Sequence, residues 1–137
     1  LFISQYLYPY LKKSQGCIIS ILDIHANGKP FGGYTVYNMA KAAHQMMVQS
    51  LAIELAPDIR VNGIAPGINI LPIEGSEQAL TAETIDKICR AVPLKRIGTP
   101  QDIAQVAVFL AAAPYITGQI IAVDGGRSLT LAGNDSR

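Results

Sequence analysis

The segment Cys17-Ile18-Ile19-Ser20-Ile21-Leu22 decides the fold class of this chain. It is short, rich in β-branched residues and almost wholly apolar, which is the pattern of a strand buried on both faces of a parallel sheet. Such a strand needs a layer of helices on each side of the sheet. The sequence therefore predicts an α/β architecture, with Asp23 at the carboxyl end of this strand.

Helical and extended segments alternate outward from this strand, an order that predicts a parallel sheet with right-handed crossovers. Asn27-Gly28, Pro30 and Gly32-Gly33 mark residues 23–34 as a loop. The remaining predicted elements are a helix over 1–11, the longest helix over 35–55, a strand over 59–65 closed by Pro66-Gly67, a long loop over 68–81, a helix over 82–91, a helix that starts at Thr99-Pro100, a strand over 119–123 and a polar, mobile tail over 131–137.

Length and composition restrict the class of protein. The 137 residues suit one domain, and a chain with 50% hydrophobic and 15% charged residues should fold. A net charge of +1 disfavours nucleic acid and membrane surfaces as partners. No apolar run approaches the roughly 20 residues of a membrane-spanning helix. Two cysteines are too few for a disulfide framework, so we expect a cytoplasmic protein. No metal-ligand spacing occurs, and we expect no metal.

Tyr37 and Lys41 are the strongest chemical signal in the chain. They lie four residues apart near the start of the longest predicted helix, so their side chains share one face of it. A nearby ammonium favours phenolate, and we expect Lys41 to lower the Tyr37 pKa from its ordinary value of about 10 toward neutrality. Asp23 and Pro66-Gly67 follow strands, so both belong at the edge of the sheet where open α/β proteins bind ligands.

Several motifs in order give this pair its context, and together they span residues 16–126. The chain resembles the carboxyl-terminal half of a short-chain dehydrogenase/reductase, which implies part of a doubly wound, Rossmann-type parallel sheet. The residues that carry the resemblance are Tyr37-Asn38-Met39-Ala40-Lys41, then 59–67 ending in Ala65-Pro66-Gly67, then Pro93-Leu94-Lys95-Arg96-Ile97-Gly98, then Thr117-Gly118-Gln119 and Val123-Asp124-Gly125-Gly126.

A finer resemblance concerns Asp23. Most members of that family have a serine at this strand end, whereas pteridine reductases have an aspartate, and this chain has the aspartate. The resemblance implies hydride transfer from NADPH to a pterin, with Tyr37 as the proton donor. It also implies that Lys41 binds the nicotinamide ribose and that Asp23 orients Tyr37 and relays the proton.

The same resemblance implies further site residues and partners. Pro66, Gly67 and Ile68 would approach the nicotinamide through their backbone, and Asn69 would reach the cofactor phosphates or the substrate. Tyr34 would line the pterin pocket. The family forms tetramers, so we expect a homo-oligomer. The family's glycine-rich phosphate turn does not occur in this sequence, and the chain begins with Leu1, so we expect an amino-terminal segment elsewhere that completes the sheet.

Two other functions remain open. The chain could belong to a short-chain reductase of a carbonyl substrate, in which Asp23 merely replaces serine, or it could be a non-catalytic fragment that retains the oligomerisation surface. His25 could contact the substrate, although a loop histidine is more often structural. We expect Arg60 to extend to solvent or pair with an acid. We expect Asp124 to accept hydrogen bonds from turn amides.

Overall fold

A computed structural model describes residues 1–26, 28–69 and 80–131 of the chain. Helices and strands alternate as the sequence predicts, and the ends of the elements differ by only a few residues. The elements are α1 (Phe2–Lys13), β1 (Cys17–Ile21), a short 3₁₀ helix (Ile24–Ala26), α2 (Thr35–Glu54), β2 (Arg60–Pro66), α3 (Ala82–Ala91), α4 (Pro100–Ala112), β3 (Ile120–Val123) and α5 (Arg127–Thr130).

The three strands form one parallel sheet in the order β1-β2-β3. Because all three strands run the same way, Asp23, Gly67 and Asp124 follow them at the same edge of the sheet. The predicted parallel α/β fold is confirmed. Pro66, predicted to close β2, is instead its last residue and pairs with Val123. Proline lacks an N–H, but the next donor, Gly67 N, continues the ladder to Val123 O at 3.0 Å.

Helices cover both faces of the sheet. Val48, Leu51 and Ala52 of α2 are buried in one cluster with Leu22 and Val61. Tyr8 and Leu11 of α1 pack against the same cluster, so α1 and α2 share one face of the sheet. Helix α4 packs on the opposite face, where Leu110 is fully buried. This two-sided burial is seen in β2, where residues 61–65 are all buried. The residues of β1, predicted to be buried on both faces, are instead only partly buried, and Ile21 is half exposed.

Arg60 departs from its predicted role. Its guanidinium donates to Leu110 O at 2.7 Å and to Ala111 O at 2.8 Å, at the carboxyl end of α4. These carbonyls have no partner within the helix, and a cation at this end also complements the helix dipole. The fold places Arg60 beside these carbonyls because β2 packs against α4. Arg60 therefore joins α4 to the sheet.

Two polar contacts also fix the elements around the site. Helix α4 begins after Thr99, as predicted, and Thr99 and Asp102 form a capping box there. Asp124 accepts backbone hydrogen bonds from Gly126 and Ser128, as predicted.

The 3₁₀ helix within the predicted loop and α5 were not predicted, since both are too short to show a periodic pattern. Residues 70–79 of the predicted long loop and 132–137 of the predicted tail lie outside the described residues.

Two observations bear on the environment of the chain. In the described ranges no helix is both long and apolar enough to span a bilayer. Cys17 and Cys89 are free thiols, each partly buried.

Candidate active site

A cavity of about 340 Å³ opens at the carboxyl edge of the sheet. Residues that follow β1, β2 and β3 contribute to its wall, together with the first turn of α2. The lining includes Asp23, Tyr34, Tyr37 and 66–68 from the predicted site. The fold therefore brings together residues from segments that are far apart in the sequence.

Asp23 and Tyr37 are directly bonded at this cavity. The Tyr37 hydroxyl donates to Asp23 Oδ2 at 2.6 Å, and the backbone N–H of His25 donates to Asp23 Oδ1 at 2.7 Å. Both carboxylate oxygens therefore have a partner, so the orientation of Asp23 is fixed by the 3₁₀ helix that follows it. Tyr37 remains 39% exposed, which leaves its hydroxyl accessible from the cavity.

Lys41 lies one turn after Tyr37 on α2. Its ammonium donates to Leu22 O at 3.2 Å, next to the carboxyl end of β1, and lies 5.7 Å from the centroid of the Tyr37 ring. The carbonyl of Leu22 thus holds the ammonium on the face of α2 that carries Tyr37. The remaining two N–H donors of the ammonium can serve a ligand.

The pKa of Tyr37 shifts in the direction opposite to the sequence prediction. Burial and the hydrogen bond to Asp23, together with its negative charge, raise the pKa of Tyr37 to about 12. Lys41 does not lower it because its ammonium lies beside the Tyr37 ring and is bonded to Leu22 O, whereas Asp23 contacts the hydroxyl itself. Tyr37 therefore holds its proton at neutral pH in the free site. A general acid transfers its proton most readily when its pKa lies near the working pH, so this raised pKa makes Tyr37 a weaker acid than the sequence predicted.

Aromatic side chains form one side of the cavity. The rings of Phe31 and Tyr34 stack at 4.6 Å between centroids, and the His25 ring stacks on Phe31 at 5.0 Å. Tyr34 meets Tyr37 edge to face at 6.5 Å. This row of rings offers a flat, largely apolar surface that leads to the Tyr37 hydroxyl.

The segment after β2 divides its residues between two cavities. Pro66, Gly67 and Ile68 line the cavity of Tyr37. Asn69 instead lines a second cavity of about 500 Å³ and is buried next to Gly98. The structure therefore does not bring Asn69 together with Asp23 and Tyr37.

Four lining residues were not predicted as site residues: Ile24, Phe31, Arg127 and Leu131. Phe31 lies in the loop between Pro30 and Gly32, and a single aromatic residue in a loop carries no periodic signal. Arg127 and Leu131 follow Gly125-Gly126, which the sequence indicates as a turn first and a site second. Their position after β3, at the ligand-binding edge, was the available signal.

The described residues suit the nicotinamide half of a dinucleotide. Lys41 does not line the cavity, but its ammonium has free N–H donors and lies 5.7 Å from the centroid of the Tyr37 ring. The backbone of 66–68 borders the cavity that Tyr37 lines, without bulky polar side chains. Gly67 packs so closely on the residue after β3 that a Cβ would lie 2.8 Å from Asp124 Cα. Among the described residues no group of His, Cys, Asp and Glu side chains could hold a metal ion.

Comparison with known sequences finds relatives that are described as reductases or dehydrogenases. A profile of the family described as enoyl-(acyl carrier protein) reductase matches residues 1–128. The chain is 38% identical over 128 residues to 7alpha-hydroxysteroid dehydrogenase of Escherichia coli (strain K12), covering 90% of this chain and 49% of the relative. It is 40% identical over 119 residues to pteridine reductase 1 of Leishmania tarentolae, covering 84% of this chain and 39% of the relative.

Comparison with solved structures also finds a protein of the dehydrogenase/reductase type. A short-chain dehydrogenase/reductase of unknown function from Caenorhabditis elegans, solved with cofactor, is 30% identical and superposes with a TM-score of 0.82. The match covers 94% of this chain and 51% of that protein. The chain thus spans about half the length, or less, of the relatives that it matches.

Proposed function

This chain belongs to the short-chain dehydrogenase/reductase family, whose members are oxidoreductases that use nicotinamide cofactors, and we propose that it takes part in the NADPH-dependent reduction of a pterin. Its parallel sheet with helices on both faces has the Rossmann-type architecture of that family. In this proposal Tyr37 is the proton donor and Asp23 is the residue that favours a pterin.

The hydrogen bond from Tyr37 to Asp23 Oδ2 carries the proposal. Reduction of a ketone builds negative charge on oxygen, and a carboxylate beside that oxygen would repel it. Reduction of a ring C=N bond places a proton on nitrogen, and the neighbouring N–H and amino groups of a pterin are hydrogen-bond donors. A carboxylate only accepts hydrogen bonds, so Asp23 complements the pterin better than the ketone.

Tyr37 has a single hydroxyl proton, which it donates to Asp23 in the free site. When Tyr37 turns this proton toward a ring nitrogen, Asp23 can accept a hydrogen bond from a substrate N–H in its place. The high pKa of Tyr37 keeps the hydroxyl protonated until that transfer. Lys41 and the backbone of 66–68 would hold the nicotinamide half of NADPH, which would supply the hydride for the carbon next to that nitrogen.

Reduction of a carbonyl substrate is the second candidate. It is favoured by the 38% identity to 7alpha-hydroxysteroid dehydrogenase, whereas the 40% identity to pteridine reductase 1 favours the first. Overall identity of this size does not separate the two. Asp23 supports the first candidate, because it lies in hydrogen-bond contact with the proposed proton donor.

We further propose that other protein surfaces complete the enzyme. Within residues 1–26, 28–69 and 80–131, strand β1 pairs only with β2, and Ile21 is half exposed, so a strand of an amino-terminal segment would pair with its other edge. The outer faces of α1 and α2 would contact further copies in a homotetramer. These faces carry the exposed apolar residues Phe2, Ile3, Tyr6, Tyr10, Val36, Met39, Met46 and Ile53. The free thiols support a reducing compartment such as the cytoplasm.

The test uses the full gene product that contains this chain. NADPH oxidation would be measured with a dihydropterin and with a ketone, for the wild type and for Tyr37→Phe. We expect pterin turnover that Tyr37→Phe lowers by roughly 10²- to 10⁴-fold, the usual contribution of a general acid. Turnover of the ketone alone would favour the second candidate. NADPH binding without turnover of either would contradict both.

A further inference from the structure

Arg127 lies in the wall of the cavity that contains Asp23 and Tyr37. It is the first residue of α5, directly after the Gly125-Gly126 turn that follows β3. The proton transfer and the cofactor contacts described above do not use it. Arg127 is partly buried, and the cavity that it lines is largely apolar.

The backbone around Arg127 is well fixed. Its N–H donates to Asp124 O at 3.1 Å. The Asp124 carboxylate accepts from Gly126 N at 2.9 Å and from Ser128 N at 2.6 Å. Burial alone would raise the pKa of Asp124, but these backbone hydrogen bonds outweigh it and hold the pKa below its ordinary value. Arg127 is therefore presented from a rigid turn.

The guanidinium of Arg127 is only partly used by the protein. Its Nη1 donates to Thr130 Oγ1 at 3.2 Å and to Ala91 O at 3.5 Å, both uncharged acceptors. In the ranges 1–26, 28–69 and 80–131, the ion pairs involve Lys12, Lys87, Arg90 and Arg96, and none involves Arg127. The carboxylates of Asp124 and Asp23 are bonded to other groups. The guanidinium thus keeps its charge and further N–H donors for a ligand.

We propose that Arg127 is a specificity-determining residue, and that its guanidinium binds an anionic substituent of the substrate. The inference rests on the proposed function for the identity of the reducible ring. Asp23 accepts hydrogen bonds at the reacting end of the cavity, and Arg127 forms another part of its wall, from which the free donors of its guanidinium would reach a ligand. The preferred substrate is therefore a flat, hydrogen-bond-donating ring that bears a carboxylate on a side chain.

Matched substrates test this role in the full gene product. One dihydropterin carries a carboxylate side chain, and the other carries a neutral side chain of similar length. We expect Arg127→Met to raise KM for the carboxylate substrate by about 10- to 100-fold, as for loss of a charge-assisted hydrogen bond. KM for the neutral substrate and kcat for both should change little. Arg127→Lys should recover part of the lost affinity.

Two controls separate binding from a structural effect. Thr130→Val removes the Thr130 hydroxyl that contacts Arg127 but keeps the charge, so it should leave the ratio of the two KM values unchanged. The Kd of NADPH should also be unchanged in Arg127→Met. A weaker NADPH affinity would instead assign the guanidinium to a cofactor phosphate and would overturn the proposal. Equal KM changes for both substrates would overturn it too.

Further measurements separate this inference from the proposed function. If the wild type reduces ketones and no pterin, the proposed function fails, and a matched pair of carboxylate and neutral ketones still tests Arg127. Without turnover of either class, the Kd values of the matched ligands for wild type and Arg127→Met decide. In the wild type, rising salt should bring the two affinities together, because screening weakens the charge interaction. Equal affinities at low salt would contradict the proposal.

Discussion

The hydroxyl of Tyr37 and the carboxylate of Asp23 meet at 2.6 Å although the residues are 14 positions apart. The loop between them is closed by Asn38, whose side chain accepts from Phe31 N at 3.1 Å and donates to Phe31 O at 2.8 Å. Asn38 thus anchors the loop to the first turn of α2, beside Tyr37. The proton donor and its acceptor are held by elements that pack independently of any ligand.

Asp23→Asn should lower the pKa of Tyr37. The amide keeps a hydrogen-bond acceptor of the same shape but removes the negative charge that helps to raise this pKa to about 12. Burial, the larger cause, remains, so the pKa should fall only part of the way to its ordinary value. Titration of phenolate absorbance, taken as the difference from Tyr37→Phe, checks this. An unchanged or higher pKa in Asp23→Asn would contradict the assigned cause.

Lys41→Met should weaken NADPH binding. The variant keeps the length of the side chain but removes the ammonium that lies beside Tyr37 and is fixed by Leu22 O. We expect the Kd of NADPH to rise about 10- to 100-fold, as for a lost hydrogen bond to a charged group. Fluorescence titration in the full gene product measures it. Lys87→Met, on the exposed face of α3, is the control and should bind like the wild type.

Arg60→Gln should destabilise the fold without a direct effect on the site. It removes the charged donors that satisfy Leu110 O and Ala111 O at the end of α4. We expect the free energy of unfolding to fall by about 1–3 kcal/mol. Urea denaturation measures this. Arg90→Gln removes an exposed ion pair to Asp86 and should change stability far less. Equal losses of unfolding free energy in the two variants would show that the contacts of Arg60 with α4 stabilise the fold no more than an exposed ion pair does.

Gly67→Ala should strain the edge of the sheet that carries the cavity. An added Cβ would lie 2.7 Å from Asp124 Cβ and 2.8 Å from Asp124 Cα, so the backbone after β3 would have to shift. Overpacking of this kind costs about 1–3 kcal/mol. Gly32→Ala is the control because nothing lies within 4 Å of its Cβ. Thermal unfolding compares them, and a wild-type midpoint for Gly67→Ala would disprove the close packing.

Part of the site could be predicted from the spacing of residues within one helix and from the positions of strand ends. Tyr37 and Lys41 share a helix face because four residues make about one turn, and this relation needs no tertiary information. Asp23 and Pro66-Gly67 could be placed at the ligand-binding edge because strand ends meet there in a parallel sheet. The direction of the Tyr37 pKa shift could not be predicted. It depends on which charged atom reaches the hydroxyl, and that is a matter of distances.

Arg60 shows the same limit in the fold. Its charge between apolar neighbours was visible in the sequence, but its partners, the carbonyls of Leu110 and Ala111, are some 50 residues away. Arg127 was not predicted as a site residue for a similar reason. Its place in the cavity wall follows from the turn after β3, and a two-glycine turn permits many directions of the chain.

By itself, the sequence determined the class and order of the elements, since hydrophobic periodicity, helix caps and turn residues act between near neighbours. It also placed Tyr37 and Lys41 on one face of α2. The tertiary structure alone decided which groups contact each other across the cavity: Asp23 with the Tyr37 hydroxyl, Lys41 with Leu22 O, and Arg127 with no carboxylate among the described residues. Charge interactions and hydrogen bonds depend on distances of a few ångströms, which only packing sets.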